Sequence, residues 1–480
     1  MNSEITRREF IAKVTTILTA LPFLQLIGEP ILRSGDKLPN IILIYTDDLG
    51  YADVGVFGAK GFKTSNLDEL ANNGIQFKDY YSAAPTCTPS RAALLTGCYP
   101  VRVGLPFVIG PKGPDWTNGK DNIGLNPEET TIASMLKQIN YVTGCIGKWH
   151  LGDMKEFLPT GYGFDYYFGL PYSHDMIKSN DPKWPDLPLI ENEKVLELNP
   201  DLSQLTKRYT EKTLSFIDKN KTHPFFLYLA HSMPHVPLFA SDKFKGKSER
   251  GLYGDVVEEI DWSVGEIVKK LKEQNLYEDT IIIYTSDNGP WLVYGNHAGS
   301  AGNLREGKFT TFEGGQREPC IISWPRKIPK GLISNKTFSA IDFLPTIAAI
   351  TGTQLPDKKI DGKSALSLWE NKPSAQNTHE ALYFYAEYDL QAVRWKNWKL
   401  HFPHNYDSIK VPGEDGKQGI SIERTIELSL FDLKNDPEEK INLADKHPDI
   451  VKKMTDMAKK FDEELKKDAR PCGTVEEIQD

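Results

Sequence analysis

Asn40-Ile-Ile-Leu-Ile-Tyr-Thr46 is an uncharged, mostly apolar run that stops on Asp47-Asp48. It has the length of a strand and shows no alternation, the pattern of a strand covered on both faces in a parallel sheet. Thr280-Ile-Ile-Ile-Tyr-Thr-Ser286 repeats the texture and stops on Asp287-Asn288-Gly289. Between them lie a third apolar run, Pro224-Phe-Phe-Leu-Tyr-Leu-Ala230, and helical periodicity over Thr131 to Ile139 and Tyr253 to Gln274. Strands alternating with helices predict an α/β sandwich around a mostly parallel central sheet. In such sheets ligands bind outside the carboxyl ends of the strands, which is where both acidic pairs fall.

Past about Pro356 the texture changes. Ala381-Leu-Tyr-Phe-Tyr-Ala386, Gln391 to His401 and Leu428 to Leu433 are aromatic and alternating, and predict a short antiparallel sheet. From Asp449 to Leu465, Ile450, Val451, Met454, Met457, Ala458, Phe461 and Leu465 recur at helical spacing, so one helix face should pack on that sheet. The expected division is a large domain over residues 37–355 and a smaller C-terminal α+β domain over 356–480. A chain of 480 residues exceeds what one core usually serves.

Hydrophobic residues make up 39% of the chain, enough for a sizeable core and too many for disorder. A formal net charge of -9 without any long Lys/Arg cluster argues against nucleic acid as a partner. Arg7-Arg8, Phe10, Lys13 and the uncharged stretch from Val14 to Ile27 resemble a bacterial twin-arginine signal over residues 1–30. The stretch is too short to span a bilayer, so the expectation is export by the twin-arginine machinery to the periplasm or beyond, with no transmembrane segment. An uncleaved N-terminal helix is the plainer alternative. Cys87, Cys98, Cys145, Cys320 and Cys472 are odd in number, leaving at least one thiol outside any intramolecular disulfide, and no C-x-x-C supports a structural zinc.

Asp47, Asp48, Asp287 and Asn288 would gather four hard oxygen ligands with three negative charges, a set suited to calcium or magnesium. Aspartate is also common at strand ends and helix N-caps, but two such pairs in one cleft would repel unless a cation or a raised pKa holds them. Cys87-Thr-Pro-Ser-Arg-Ala-Ala-Leu-Leu-Thr-Gly97 places residue 87 at a helix N-terminus with Arg91 nearby, a setting for an anion. A buried, inert thiol fits the same residues.

This segment resembles the signature of the formylglycine-dependent sulfatases, in which the Cys of C-x-P-S-R is oxidised to formylglycine by a separate enzyme. A second signature of that family is similar to Asn140-Tyr-Val-Thr-Gly-Cys-Ile-Gly-Lys148-Trp-His150-Leu-Gly152, with Asn140 in place of a glycine. Asn tolerates a left-handed turn, so the backbone should be preserved. Further segments extend the likeness from about Pro39 to Asn442, among them Pro171-Tyr-Ser-His-Asp175 and Gly307 to Pro319. It implies an alkaline-phosphatase-like catalytic domain with a smaller C-terminal domain.

The resemblance implies that residue 87 carries a hydrated aldehyde, one hydroxyl attacking sulfur and the other later expelling sulfate. It also implies metal ligation by Asp47, Asp48, Asp287, Asn288 and residue 87, with calcium expected and magnesium as the alternative. Arg91 would orient residue 87, Lys148 and Lys308 would clamp sulfate, and Ser173 would contact it. His150 would serve as the base of the elimination, and His235 would protonate the leaving alcohol. His174, His297, His401 and His404 are candidates for the substrate side. The expected activity is hydrolysis of a sulfate monoester, on a sulfated sugar attacked from its end. Rivals are a phosphate or phosphonate monoester hydrolase of the same fold, a glycan-binding relative without catalysis, and a sulfate transferase.

Overall fold

A computed structural model describes residues 37–111, 122–182 and 184–475. The expected export signal lies outside the described residues, and no described helix is long and apolar enough to cross a membrane. Asn40–Thr46 occupies the middle of an eleven-stranded sheet, parallel to Phe225–Ala230 on one side and Thr280–Ser286 on the other. Val142–Gly147 continues the parallel run beyond Phe225–Ala230. Arg317–Ser323 turns antiparallel and joins Thr280–Ser286 to Ile75–Tyr81.

The absence of alternation in the central strands has a direct cause. Successive side chains point to opposite faces, and both faces are covered. Ile41, Leu43 and Tyr45 pack in one core with the helices Cys87–Thr96, Ile132–Lys137 and Phe343–Thr351. Ile42 and Ile44 pack in another with Ser65–Asn72, Leu205–Asn220 and Leu252–Glu273. The result is a mostly parallel sheet between two helical layers, as the sequence implied.

Strand register then sets the site. Thr46 lies opposite Ser286 and Tyr45 opposite Ala230, which in turn faces Gly147. Asp47, Asp287, His231 and Lys148 therefore leave the sheet along one edge. Gly147 sits at φ +112°, and a Cβ there would fall 1.8 Å from the Ala230 carbonyl oxygen, so only glycine lets Lys148 depart at that point.

The C-terminal sheet holds Ala381–Ala386, Asp389–Trp395, Trp398–His401 and Ser429–Asp432, all antiparallel. Met454 and Ala458 of the helix Pro448–Lys467 are buried against it, and Leu465 and Phe461 reach the core beside Tyr385. The alternating segment Gln391 to His401 spans two strands of this sheet. Trp395 pairs with Trp398 across a tight turn at Lys396, φ +55°, because Lys-Asn here does what Asn-Gly more often signals. A further hairpin, His404–Val411 with Ile420–Ile426, is mostly exposed and had no apolar alternation to announce it.

Candidate active site

The helix Cys87–Thr96 begins where Thr86 is extended, carries Pro89 in its first turn where no N–H is missed, and ends on Gly97 at φ +70°. All ten of its residues are buried. Cys87 thus sits at the positive end of the helix dipole, and Arg91, one turn on, shares its face.

Arg91 reaches the strand ends. Its Nη2 lies 2.8 Å from Asp287 Oδ2 and 3.4 Å from Asp47 Oδ1, and its Nη1 donates to the Lys148 carbonyl at 3.1 Å. Lys148 Nζ donates to Asp47 Oδ2 at 2.6 Å and to Ser173 Oγ at 3.1 Å. Lys308 Nζ lies 2.8 Å from the Asp48 carboxylate and 4.5 Å from the centre of the Trp291 ring. His235 Nε2 stands 3.6 Å from Asp48 Oδ2. The structure therefore brings Asp47, Asp48, Arg91, Lys148, Ser173, His235, Asp287, Asn288 and Lys308 together. Cys87 joins them: burial raises its thiol pKa, opposed by the charges of Lys148 and Lys308.

The three carboxylates each offer an oxygen within 4.8 Å of the others. Asn288 Oδ1 is buried without a hydrogen bond among the described residues, Asp47 Oδ1 has only the Arg91 guanidinium at 3.4 Å, and Asn288 Nδ2 donates to Asp48 Oδ1 at 2.8 Å. Hard oxygens left unsatisfied beside crowded negative charge are what a calcium or magnesium ion would satisfy, so the donor set fits one. Burial tends to raise the Asp47 carboxyl, but Lys148, His235, Arg91 and Lys308 outweigh it and hold Asp47 well below the usual carboxylate range. Burial and then the Asp47 charge push its neighbour Asp287 up to about 7.

A pH effect follows from that displacement. The folded, metal-free protein keeps the Asp287 proton to about pH 7, whereas the unfolded chain releases it near 3.8. The folded state thus binds the extra proton, and metal-free stability should fall as pH rises through this window. Cation binding, which displaces the proton, should strengthen over the same range. Thermal unfolding at pH 5 and pH 7.5, with and without chelator, should show the gap between metal-loaded and metal-free protein widening at the higher pH. A gap that narrows would contradict the assignment.

His150 is buried at φ +59° and its Nε2 lies 2.7 Å from the Ile109 carbonyl oxygen. A carbonyl only accepts, so Nε2 carries the proton and Nδ1, without a hydrogen-bond partner, keeps its lone pair. Burial and then the Lys148 charge push its pKa well below the ordinary value, so the ring is neutral. Asn140 adopts φ +64°, the left-handed turn expected of it.

The four outer histidines separate. The His174 ring centre lies 5.6 Å from that of His235, at the site. His297 is half-buried near Gly416 of the C-terminal hairpin. His401 and His404 lie together: His401 is fully buried, stacked 4.7 Å from Phe312, with Nε2 2.8 Å from Glu439 Oε1, and His404 lies beside it at 5.7 Å. Sequence reasoning passed over Trp291, which stands 5.6 Å from His235 as well as over Lys308. Its place three residues after Asn288 was the available signal. No disulfide joins the described cysteines, and Cys145 and Cys320 are buried in the core.

Comparisons with known proteins place the chain in a family. The Sulfatase family profile matches residues 39–353, and the profile for the C-terminal region of aryl-sulfatase matches 377–480. Arylsulfatase A of Homo sapiens is 38% identical over 436 residues, covering 84% of this chain and 83% of that protein. N-acetylgalactosamine-6-sulfatase of Sus scrofa is 36% identical over 453 residues, covering 89% and 86%. Among solved structures, the PsFucS1 sulfatase from Pseudoalteromonas sp. superposes with a TM-score of 0.80 at 28% identity, covering 91% of this chain and 92% of that one. Ps i-CgsB in complex with k-i-k-neocarrahexaose gives 0.75 at 31% identity, covering 92% and 96%. Matched through both its large sheet and its C-terminal region, the chain belongs to the sulfatase family and is a sulfuric ester hydrolase.

Proposed function

We propose that the protein removes sulfate from a sulfated sugar, working from the chain end, with residue 87 converted to formylglycine beside one calcium or magnesium ion. The observation that carries the reading is the cluster of Lys148, Lys308, His235 and three carboxylates beside residue 87 at a helix N-terminus, where Lys148, Lys308, Asp47 and Asp287 all act on its thiol. Relatives named N-acetylgalactosamine-6-sulfatase, and a neighbour crystallised with k-i-k-neocarrahexaose, support a sugar.

Asp47, Asp48, Asp287 and Asn288 would hold the cation, with residue 87 completing its shell. When bound, it polarises the sulfate and favours a deprotonated hydroxyl on residue 87. Formylglycine supplies a hydrated aldehyde, one hydroxyl to attack sulfur and a second to lose its proton as sulfate leaves. Lys148 and Lys308 flank the acidic cluster, each placed to take a sulfate oxygen as charge grows there, and Ser173 extends the Lys148 side. Arg91 joins the two strand ends and so fixes the ligands relative to residue 87. His150 Nδ1 is the neutral lone pair that accepts the proton of the second hydroxyl. His235 Nδ1 donates to the Val236 carbonyl and its Nε2 lies 3.6 Å from Asp48, so the imidazolium form would present its Nε2–H to the site, give that proton to the departing alcohol oxygen and become neutral.

Sulfate release from a panel of defined sulfated mono- and disaccharides tests the sugar. Turnover of aryl sulfates with none of the sugars would sink that part of the reading. His235→Ala should lower kcat for a sugar sulfate by about 10²- to 10³-fold. The loss should be much smaller for 4-nitrophenyl sulfate, whose leaving group needs no proton. Equal losses on both would remove His235 from this role.

Maturation would need a formylglycine-generating enzyme. Arg7-Arg8 supports export by the twin-arginine route. Replacing both by Lys should retain the protein in the cytoplasm on cell fractionation, and unaltered export would refute that route.

A further inference from the structure

Beyond Lys308 lies a cavity of about 300 Å³ between the loops of the main sheet and the hairpin His404–Val411/Ile420–Ile426. Its walls are fastened. Gly413 N and Gly419 N both donate to the Val293 carbonyl, at 2.9 and 2.8 Å, and Ser408 Oγ donates to Glu306 Oε1 at 2.9 Å. The cavity is therefore a preformed feature shared by both regions of the chain.

Two aromatic rings form one side, Trp291 and Phe309, 5.5 Å apart at 69°. Phe309 is 47% exposed, and its backbone holds φ +71° while its N–H donates to the Pro85 carbonyl at 2.9 Å, two residues from Cys87. A bulky apolar ring held in a left-handed conformation at the lip of a site costs stability and is left uncovered. The apolar C–H face of a sugar ring would cover it.

Charge narrows the sugar further. Among the described residues lining the cavity the only cation is Lys308, already against Asp48, while Glu306 and Asp407 contribute two carboxylates. Gln418 and Ser421 offer uncharged hydrogen bonds. A second sulfate or a uronate on the substrate would meet negative charge with nothing to pair it.

We propose that this cavity seats the sugar bearing the scissile sulfate and selects one that carries no second anionic group. The inference rests on the sulfatase reading. Its test is kcat/KM of the metal-loaded, formylglycine-bearing enzyme on three probes: a singly sulfated neutral disaccharide, its doubly sulfated counterpart, and 4-nitrophenyl sulfate. The singly sulfated sugar should be favoured by about tenfold, and Asp407→Lys should shrink that preference about tenfold. Phe309→Ala should raise KM for the sugar more than it lowers kcat.

Equal or greater activity on the doubly sulfated probe, or a ratio unmoved in Asp407→Lys, would overturn the selection. So would turnover of 4-nitrophenyl sulfate with neither sugar, which leaves the sulfatase reading standing. Turnover of no probe at all would remove that reading and this inference with it.

Discussion

Cys87→Ser should stop steady-state turnover, a loss on the order of 10⁴-fold or more, while still allowing a single sulfuryl transfer. A serine at 87 keeps one hydroxyl at the helix N-terminus, within the charges of Lys148 and Lys308. It can attack sulfur, but it has no second hydroxyl on the same carbon from which sulfate can be expelled. The expected signature is a burst of alcohol no larger than the enzyme present, with a mass increase of one sulfuryl group on the peptide that holds residue 87. Continued multiple turnovers in this variant would refute the two-hydroxyl chemistry. A Cys87→Ala variant, which has no nucleophile, should show no burst.

Removal of the cation should have the next largest effect. Three buried carboxylates crowd one another there, and burial with the Asp47 charge pushes Asp287 up to about 7, so the charge that would polarise a sulfate depends on the cation. Chelation should therefore cost on the order of 10³-fold in turnover, the several kcal/mol that an electrophilic metal contributes. Calcium or magnesium should restore it. Asp287→Asn should not be rescued by calcium at concentrations that restore the parent, because it lacks one of three ligand charges. Full activity in the presence of excess chelator would exclude the metal.

Much of the framework could be read because its causes are local. Strands buried on both faces lose their alternation, and Asn40–Thr46 and Thr280–Ser286 show that directly. Asn140 kept a left-handed turn because side-chain chemistry limits which residues tolerate one. What escaped depends on partners distant in sequence. His401 resembles any candidate histidine until Glu439 is seen beside it, and the proton position on His150 is set by the Ile109 carbonyl, which no side chain advertises. Arg91 was expected to orient residue 87; that its guanidinium also ties Asp47 to Asp287 is a contact no spacing in the sequence announces. The hairpin over the cavity was missed because strands that bury little leave little pattern.

The pairing of Asn40–Thr46 with Thr280–Ser286 also acts as a clock during synthesis. Cys87 leaves the ribosome about 200 residues before Asp287. At roughly 5–20 residues per second, that interval lasts about 10–40 s. Until it ends, the central strand has only Phe225–Ala230 to pair with and the helix Cys87–Thr96 lacks a finished sheet to pack on, which on the proposed chemistry would leave the thiol open to a modifying enzyme. Once the two strands zip together, residue 87 is 3% exposed. On the proposed formylglycine chemistry, slowing the ribosome over residues 88–287 should raise the yield of active protein without changing a single amino acid.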